Sequence, residues 1–169
     1  MSGPGALQAE AAARLIAELT RRRLRIAVAE SLTGGLVVAE LTSVPGASLV
    51  VTGGIVAYDT AVKHTLLGVD AGLLRREGAV HPEVARQMAI GVRTALAVDG
   101  HPADIGVSTT GVAGPDPQDG RPVGTVHVGL AIGDRVDAID LSFTGDRASI
   151  RRQTVHAAIG ALLAGLPAA

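Results

Sequence analysis

The chain has 169 residues, a formal net charge of −1 and no cysteine. One domain fits this length, and the missing cysteines exclude disulfide scaffolds, thiolate nucleophiles and cysteine–zinc clusters. Near-neutral charge gives no general attraction to nucleic acid or an anionic membrane, and the two aromatics, Tyr58 and Phe143, cannot build a base-stacking platform.

Residues 1–6 read as a disordered lead-in, and residues 7–165 as a single domain. Leu7, Ala11, Leu15, Ile16 and Leu19 fall on one face of a helix over 7–23. Glu10, Arg14 and Glu18 interrupt the pattern a signal peptide would need. No uncharged apolar run reaches the ~18 residues of a membrane span. A soluble, cytoplasmic domain is expected.

Ile26–Ala29 is a short apolar run that reads as a buried strand. Glu30-Ser31-Leu32-Thr33-Gly34-Gly35 follows, and then a helical pattern through Leu41. Leu49–Tyr58 is a second apolar run, broken by Gly53-Gly54. Thr60–Leu67 reads as a helix stopped by Gly68. A short helix is predicted at Leu73–Glu77. Pro82 and Glu83 open another, with Val84, Met88, Val92 and Leu96 on its apolar face. Asp104–Thr109 predicts a strand, and Gly111–Pro122 a loop rich in glycine and proline. Val123–Ile132 and Arg135–Phe143 predict a hairpin turned at Gly133-Asp134. Asp146 to Leu163 is the last helix, with Ile150, Val155, Ile159 and Leu162 inward. Strands alternating with helices predict a three-layer α/β/α sandwich with a mixed, mainly parallel sheet of about five strands.

Of the 15 basic residues, only Lys63 is lysine; the other 14 are arginine. Coding bias is the plain reading of the arginines. The exception is notable because lysine can lose its proton and act as a base, which arginine cannot.

In open α/β sheets, ligands bind beyond the carboxyl ends of the strands. Ser31 occupies such a strand-to-helix turn, as a nucleophile does in the elbow of hydrolases. Ser31 or Thr33 is equally suited to capping the following helix. Lys63, one turn into its helix, either reaches back over the preceding strand end or is a solvated surface charge. Tyr58 ends that strand. Thr110 and Gly111 begin the long loop, a ligand lid or a plain surface turn. Arg147, at the start of the last helix, suits a phosphate or carboxylate. The five histidines are scattered without metal-ligand spacing, so no metal is expected. No Gly-x-Gly-x-x-Gly or P-loop pattern is present, and no cofactor is expected.

Several segments in order resemble one family. They are Ala29-Glu30-Ser31-x-Thr33-Gly34-Gly35, Gly54-x-x-x-Tyr58-x-x-x-x-Lys63, Gly78-Ala79-Val80, Thr110-Gly111-x-Ala113-Gly114-Pro115, Pro122-Val123-Gly124-Thr125-Val126 and Phe143-x-Gly145-Asp146-Arg147. Together they are similar to the CinA C-terminal domain family, which includes the stand-alone PncC amidohydrolases. The resemblance implies conversion of nicotinamide mononucleotide and water to nicotinate mononucleotide and ammonia, a step of pyridine-nucleotide recycling. It also implies a serine–lysine dyad, Ser31 and Lys63, working through an acyl-enzyme. Within that scheme the backbone amides of Thr33, Gly34 and Gly35 are candidate oxyanion donors. Thr110 is a candidate hydroxyl relay, Tyr58 a ring contact, Gly111 a substrate contact and Arg147 a phosphate contact.

Three positions depart from the family pattern: Leu32 where cysteine is common, His81 where serine is usual, and Pro117-Gln118-Asp119-Gly120 where a Gly-Gly pair is common. The expected partner is a small pyridine nucleotide, and a homo-oligomer is expected of so apolar a small domain. A non-catalytic nucleotide- or phosphate-binding regulatory module and a competence- or recombination-related interaction protein are the alternative readings.

Overall fold

The structure is a computed structural model that describes residues 4–167, with side chains from residue 9 onward. Its elements in chain order are α1 (Pro4–Arg22), β1 (Ile26–Glu30), α2 (Leu36–Thr42), a 3-10 turn (Ala47–Leu49), β2 (Val51–Val56), α3 (Thr60–Leu67), α4 (Ala71–Glu77), α5 (Pro82–Ala95), β3 (Ile105–Gly111), β4 (Thr125–Ile132), β5 (Arg135–Ser142) and α6 (Arg147–Gly165). Residues 1–3 of the expected lead-in lie outside the described residues, and α1 begins at Pro4 rather than at residue 7.

The sheet order is β2-β1-β3-β4-β5. β1 pairs in parallel with β2 and β3, while β4 runs antiparallel to both β3 and β5. Only β4 therefore opposes the common direction, and the sheet is mixed and mainly parallel as expected. Side chains alternate across a strand. Ile26 and Val28 face one layer with α1, α2 and α6, where Leu15, Leu41 and Ile159 are buried. Ala27 and Ala29 face the other layer, with Leu67, Leu73, Val84 and Met88 from α3, α4 and α5. The second face is built from small residues because α5 lies directly on it. A Cβ on Gly106 would stand 1.9 Å from the Ala89 carbonyl oxygen, and one on Gly129 would stand 2.2 Å from that of Ala85.

The strand order places the site. From β1 the chain crosses to β2 on one side through α2, which lies on one face. It then returns to β3 on the other side of β1 through α3, α4 and α5, on the opposite face. The carboxyl end of β1 is thus the point where the winding reverses, and such a point opens a crevice between the diverging connections. Ser31 is the residue that follows β1.

Candidate active site

Main-chain pairing continues one residue past β1. The Ser31 N–H donates to the Thr109 carbonyl at 2.9 Å, and the Ala57 N–H donates to the Glu30 carbonyl at 2.8 Å. Ser31 is thereby registered between the ends of β2 and β3. A tight turn follows, closed by the Gly34 N–H on the Ser31 carbonyl at 3.1 Å. Gly34 and Gly35 have φ of 60° and 97°, the left-handed region that glycine enters without steric cost.

The start of α2 is capped by a residue outside the helix. Glu30 is fully buried. One carboxylate oxygen accepts from the Gly35 and Val37 N–H groups at 2.9 and 3.1 Å, and the other accepts from Val38 at 2.9 Å. Burying a carboxylate is costly unless its oxygens find donors, and here three amides supply them. The Thr33 side chain is buried too, its hydroxyl 2.7 Å from that of Thr109.

Lys63 approaches Ser31 from the other layer. Asp59 caps α3 by accepting from the Ala61 N–H at 2.7 Å. Side chains on a helix lean toward its N-terminus, so Lys63 reaches back over the end of β2. It is 1 % exposed, which excludes the solvated surface charge. Its Nζ lies 2.7 Å from the Ala57 carbonyl, 3.4 Å from the Tyr58 carbonyl and 3.0 Å from Ser31 Oγ. Burial pushes the ammonium down from 10.5 to about 8, against a smaller opposing pull from Asp59. A neutral amine has two hydrogens and one lone pair. With the hydrogens on the two carbonyls, the lone pair is left for the Ser31 O–H.

Ser31 and Lys63 open into a cleft whose walls include Leu32, Tyr58, Ala79, Thr110, Gly111 and Arg147. Tyr58 stands on the rim, 58 % exposed. Arg147 donates to the Tyr58 hydroxyl and to the Gly114 carbonyl, both at 2.7 Å. Both partners are neutral, and among the described residues no carboxylate pairs with this guanidinium. The guanidinium is therefore free to pair with an anion, in a cleft that Asp116 also lines.

The loop after β3 is ordered into a small hairpin. Gln118 and Arg121 exchange main-chain hydrogen bonds at 3.1 and 2.8 Å across Asp119-Gly120. Both turn residues have positive φ, 49° and 71°, as a two-residue type I′ turn requires. Asp119 accepts from the Ala79 N–H at 3.3 Å, which latches the hairpin to the opposite wall.

Six of the nine expected site residues thus meet at one cleft: Ser31, Lys63, Tyr58, Thr110, Gly111 and Arg147. Thr33, Gly34 and Gly35 do not line it. The Gly34 and Gly35 amides are consumed by the Ser31 carbonyl and the Glu30 carboxylate, so they are not free oxyanion donors. The amides of Leu32 and Thr33 make no hydrogen bond among the described residues. Thr110 is at the cleft, but its hydroxyl donates to the Ala79 carbonyl at 2.7 Å, which leaves no proton for a relay.

Sequence reasoning missed Glu30 and Arg151. Arg151 Nε donates to the Leu32 carbonyl at 2.9 Å, and a terminal guanidinium nitrogen donates to that of Thr33 at 2.8 Å. A signal was available: Arg151 lies one helical turn beyond Arg147. His81 does what a serine does at a helix start, its Nδ1 accepting from the Glu83 N–H at 3.1 Å. Leu32 is buried in the core. Among the described residues no group of His, Asp and Glu side chains converges as a metal site, and no helix is long and apolar enough to cross a membrane.

The fold and site define an α/β/α domain with a buried serine–lysine pair at the reversal point of its sheet. The sequence profile of the CinA C-terminal domain matches residues 8–166, and the chain belongs to that family. It is 50 % identical over 152 residues to a CinA-like protein of Frankia casuarinae, covering 88 % of this chain and 34 % of the relative. The chain spans about a third of the length of the curated relatives it matches. Solved structures match over nearly their whole length. The competence/damage inducible protein CihA from Agrobacterium tumefaciens aligns with a TM-score of 0.88 at 35 % identity, covering 97 % of this chain and 98 % of that one. A CinA superfamily protein from Escherichia coli aligns with a TM-score of 0.89 at 28 % identity, covering 98 % and 94 %.

Proposed function

We propose that this domain is a serine amidohydrolase in which Lys63 is the general base, acting on the carboxamide of nicotinamide mononucleotide. The observation that carries the reading is the buried Lys63 amine, 3.0 Å from Ser31 Oγ and oriented by two carbonyls.

The chemistry balances with these two side chains and water. Lys63 Nζ takes the Ser31 proton as Oγ attacks the carboxamide carbon. The resulting oxyanion needs preorganised donors. The free Leu32 amide supplies one: its residue lines the cleft and holds the position after the nucleophile that serves in other serine elbows. The Lys63 ammonium returns its proton to the leaving nitrogen and ammonia departs, leaving the acyl ester on Ser31. Water then attacks that ester, Lys63 takes its proton, and the proton passes to Ser31 Oγ as the acid leaves. Arg147, which has no carboxylate partner among the described residues, offers its charge to the phosphate, and the Tyr58 ring flanks the pyridine.

The test is ammonia release from nicotinamide mononucleotide, its riboside and free nicotinamide. The nucleotide is expected to be hydrolysed fastest, and Ser31→Ala and Lys63→Arg are expected to abolish turnover. Lys63→Arg keeps the charge and removes the base, so full activity in that variant sinks the dyad. A second reading, a nucleotide-binding regulatory module without turnover, draws on the same Arg147. Calorimetric binding of the nucleotide with no ammonia release would favour it. The relatives' names point to competence and damage induction, and a role there is compatible with either reading.

A further inference from the structure

Two side chains outside the cleft grip the Ser31 turn from opposite sides. Glu30 gathers the amides of Gly35, Val37 and Val38. Arg151, on α6, gathers the carbonyls of Leu32 and Thr33. The division follows from chemistry: a carboxylate only accepts, and a guanidinium only donates through a planar fork.

Their hold decides which amides are spare. The Ser31 N–H goes to Thr109, Gly34 to Ser31, Gly35 to Glu30 and Leu36 to the Thr33 carbonyl. Leu32 and Thr33 are left between them. In a trans peptide the C=O and N–H point in opposite directions. The Thr33 carbonyl, held against Arg151, therefore sets the direction of the Gly34 N–H, which holds the Ser31 carbonyl at 3.1 Å and so sets the direction of the Leu32 N–H. If that carbonyl were released, the plane could rotate and the donor would be lost.

We infer that Arg151, opposed by Glu30, is a positioning residue for acyl transfer. It fixes the peptide planes of the Ser31 turn so that the Leu32 amide stays aimed at the developing oxyanion. This rests on the amidohydrolase reading. Arg151 touches only backbone in the turn and does not line the cleft, so ground-state binding does not depend on it.

The test compares Arg151→Met and Arg151→Lys with the wild-type chain in steady-state ammonia release. Inhibition is measured in parallel with pyridine-3-carboxaldehyde, which adds to a serine hydroxyl as a tetrahedral hemiacetal, and with the planar product nicotinate mononucleotide. Misplaced oxyanion donors reduce kcat by roughly 10- to 100-fold at unchanged KM. Aldehyde inhibition is expected to weaken by a similar factor while product inhibition holds. Lysine, which cannot span both carbonyls, falls between methionine and arginine. An active wild type with unchanged kcat in Arg151→Met overturns the inference alone. So does a parallel loss of aldehyde and product binding in both variants, which marks a merely structural residue. A wild type that releases no ammonia from any of the pyridine amides overturns the amidohydrolase reading and this inference with it.

Discussion

Ser31 and Lys63 lie 32 positions apart in the chain and 3.0 Å apart in space, with the lysine 1 % exposed. Among the described residues nothing acidic touches the Nζ. Its contacts are two carbonyls and a hydroxyl. Burial lowers the lysine from 10.5 to about 8, so that roughly a tenth of it is neutral amine at pH 7.

The pH dependence of turnover follows. The base must be deprotonated, and Lys63 titrates at about 8. Plotted as its logarithm, kcat/KM is expected to rise with unit slope toward pH 8 and to level above it. Lys63→Arg should lower the plateau by roughly 10²- to 10⁴-fold, the usual contribution of a positioned base. An ascending limb centred near 10.5 would place the lysine in an ordinary solvated environment and refute its assignment.

The same shift makes a stability prediction. Lys63 titrates at about 8 when folded and near 10.5 when unfolded. Between these values the unfolded state binds more protons, so stability rises with pH across that window. Below 8 the cost is present in full. Lys63→Met removes the charge, and the variant should be more stable than wild type at pH 7 by up to about 3 kcal/mol. The gap should close toward pH 10.5. Chemical denaturation of both proteins across this range is the measurement, and parallel pH profiles would contradict it.

How much of this was legible beforehand depended on what each residue's role leaves in a sequence. Lys63 stood out because arginine replaced every other lysine, and Ser31 because an apolar run stopped just before it. Periodicity gives the face of a strand but not its neighbours, so the reversal at β1 was hidden. Thr33–Gly35 misled for a specific reason. A helix start after a strand normally offers free amides, but here the Gly35 amide goes to the buried Glu30 and the Gly34 amide to the Ser31 carbonyl. Glu30 was invisible as a cap because caps are sought at the position adjoining the helix, and the glutamate reaches forward from five residues before Gly35. His81 looked like a departure. As an acceptor for Glu83 it replaces serine function for function.

Arg147 is where binding can be tested apart from chemistry. Its guanidinium joins the Tyr58 hydroxyl to the Gly114 carbonyl and has no carboxylate partner among the described residues. A hydrogen bond to a charged group contributes about 1.5–3 kcal/mol. Arg147→Met should therefore raise KM for nicotinamide mononucleotide by roughly 10- to 100-fold. Hydrolysis of the riboside, which lacks the phosphate, should barely change. An equal loss for both substrates would show that Arg147 shapes the cleft instead of reading the phosphate.

Gly78 joins the latch of the hairpin to the wall of the cleft. Its φ is 74°, and a Cβ there would stand 2.5 Å from Asp119 Oδ2 and 2.7 Å from Asp119 Cβ. Gly78→Ala therefore carries two costs: backbone strain of roughly 1–3 kcal/mol and displacement of Asp119 from the Ala79 N–H. The second cost is removable. Asp119→Gly deletes the obstructing atoms at a position whose own φ, 49°, suits glycine. Alone, that change loses the 3.3 Å hydrogen bond to Ala79. Combined with Gly78→Ala, it removes the collision and leaves only the strain. The double variant should be more stable than the sum of the single losses predicts, by about 1 kcal/mol or more. Denaturation of the four proteins in this cycle measures the coupling, and strict additivity would mean that Asp119 does not bear on Gly78 in solution. The single Gly78→Ala variant should also raise KM for the nucleotide, since Ala79 and Gln118 both line the cleft and the displaced hairpin moves one wall away from the other.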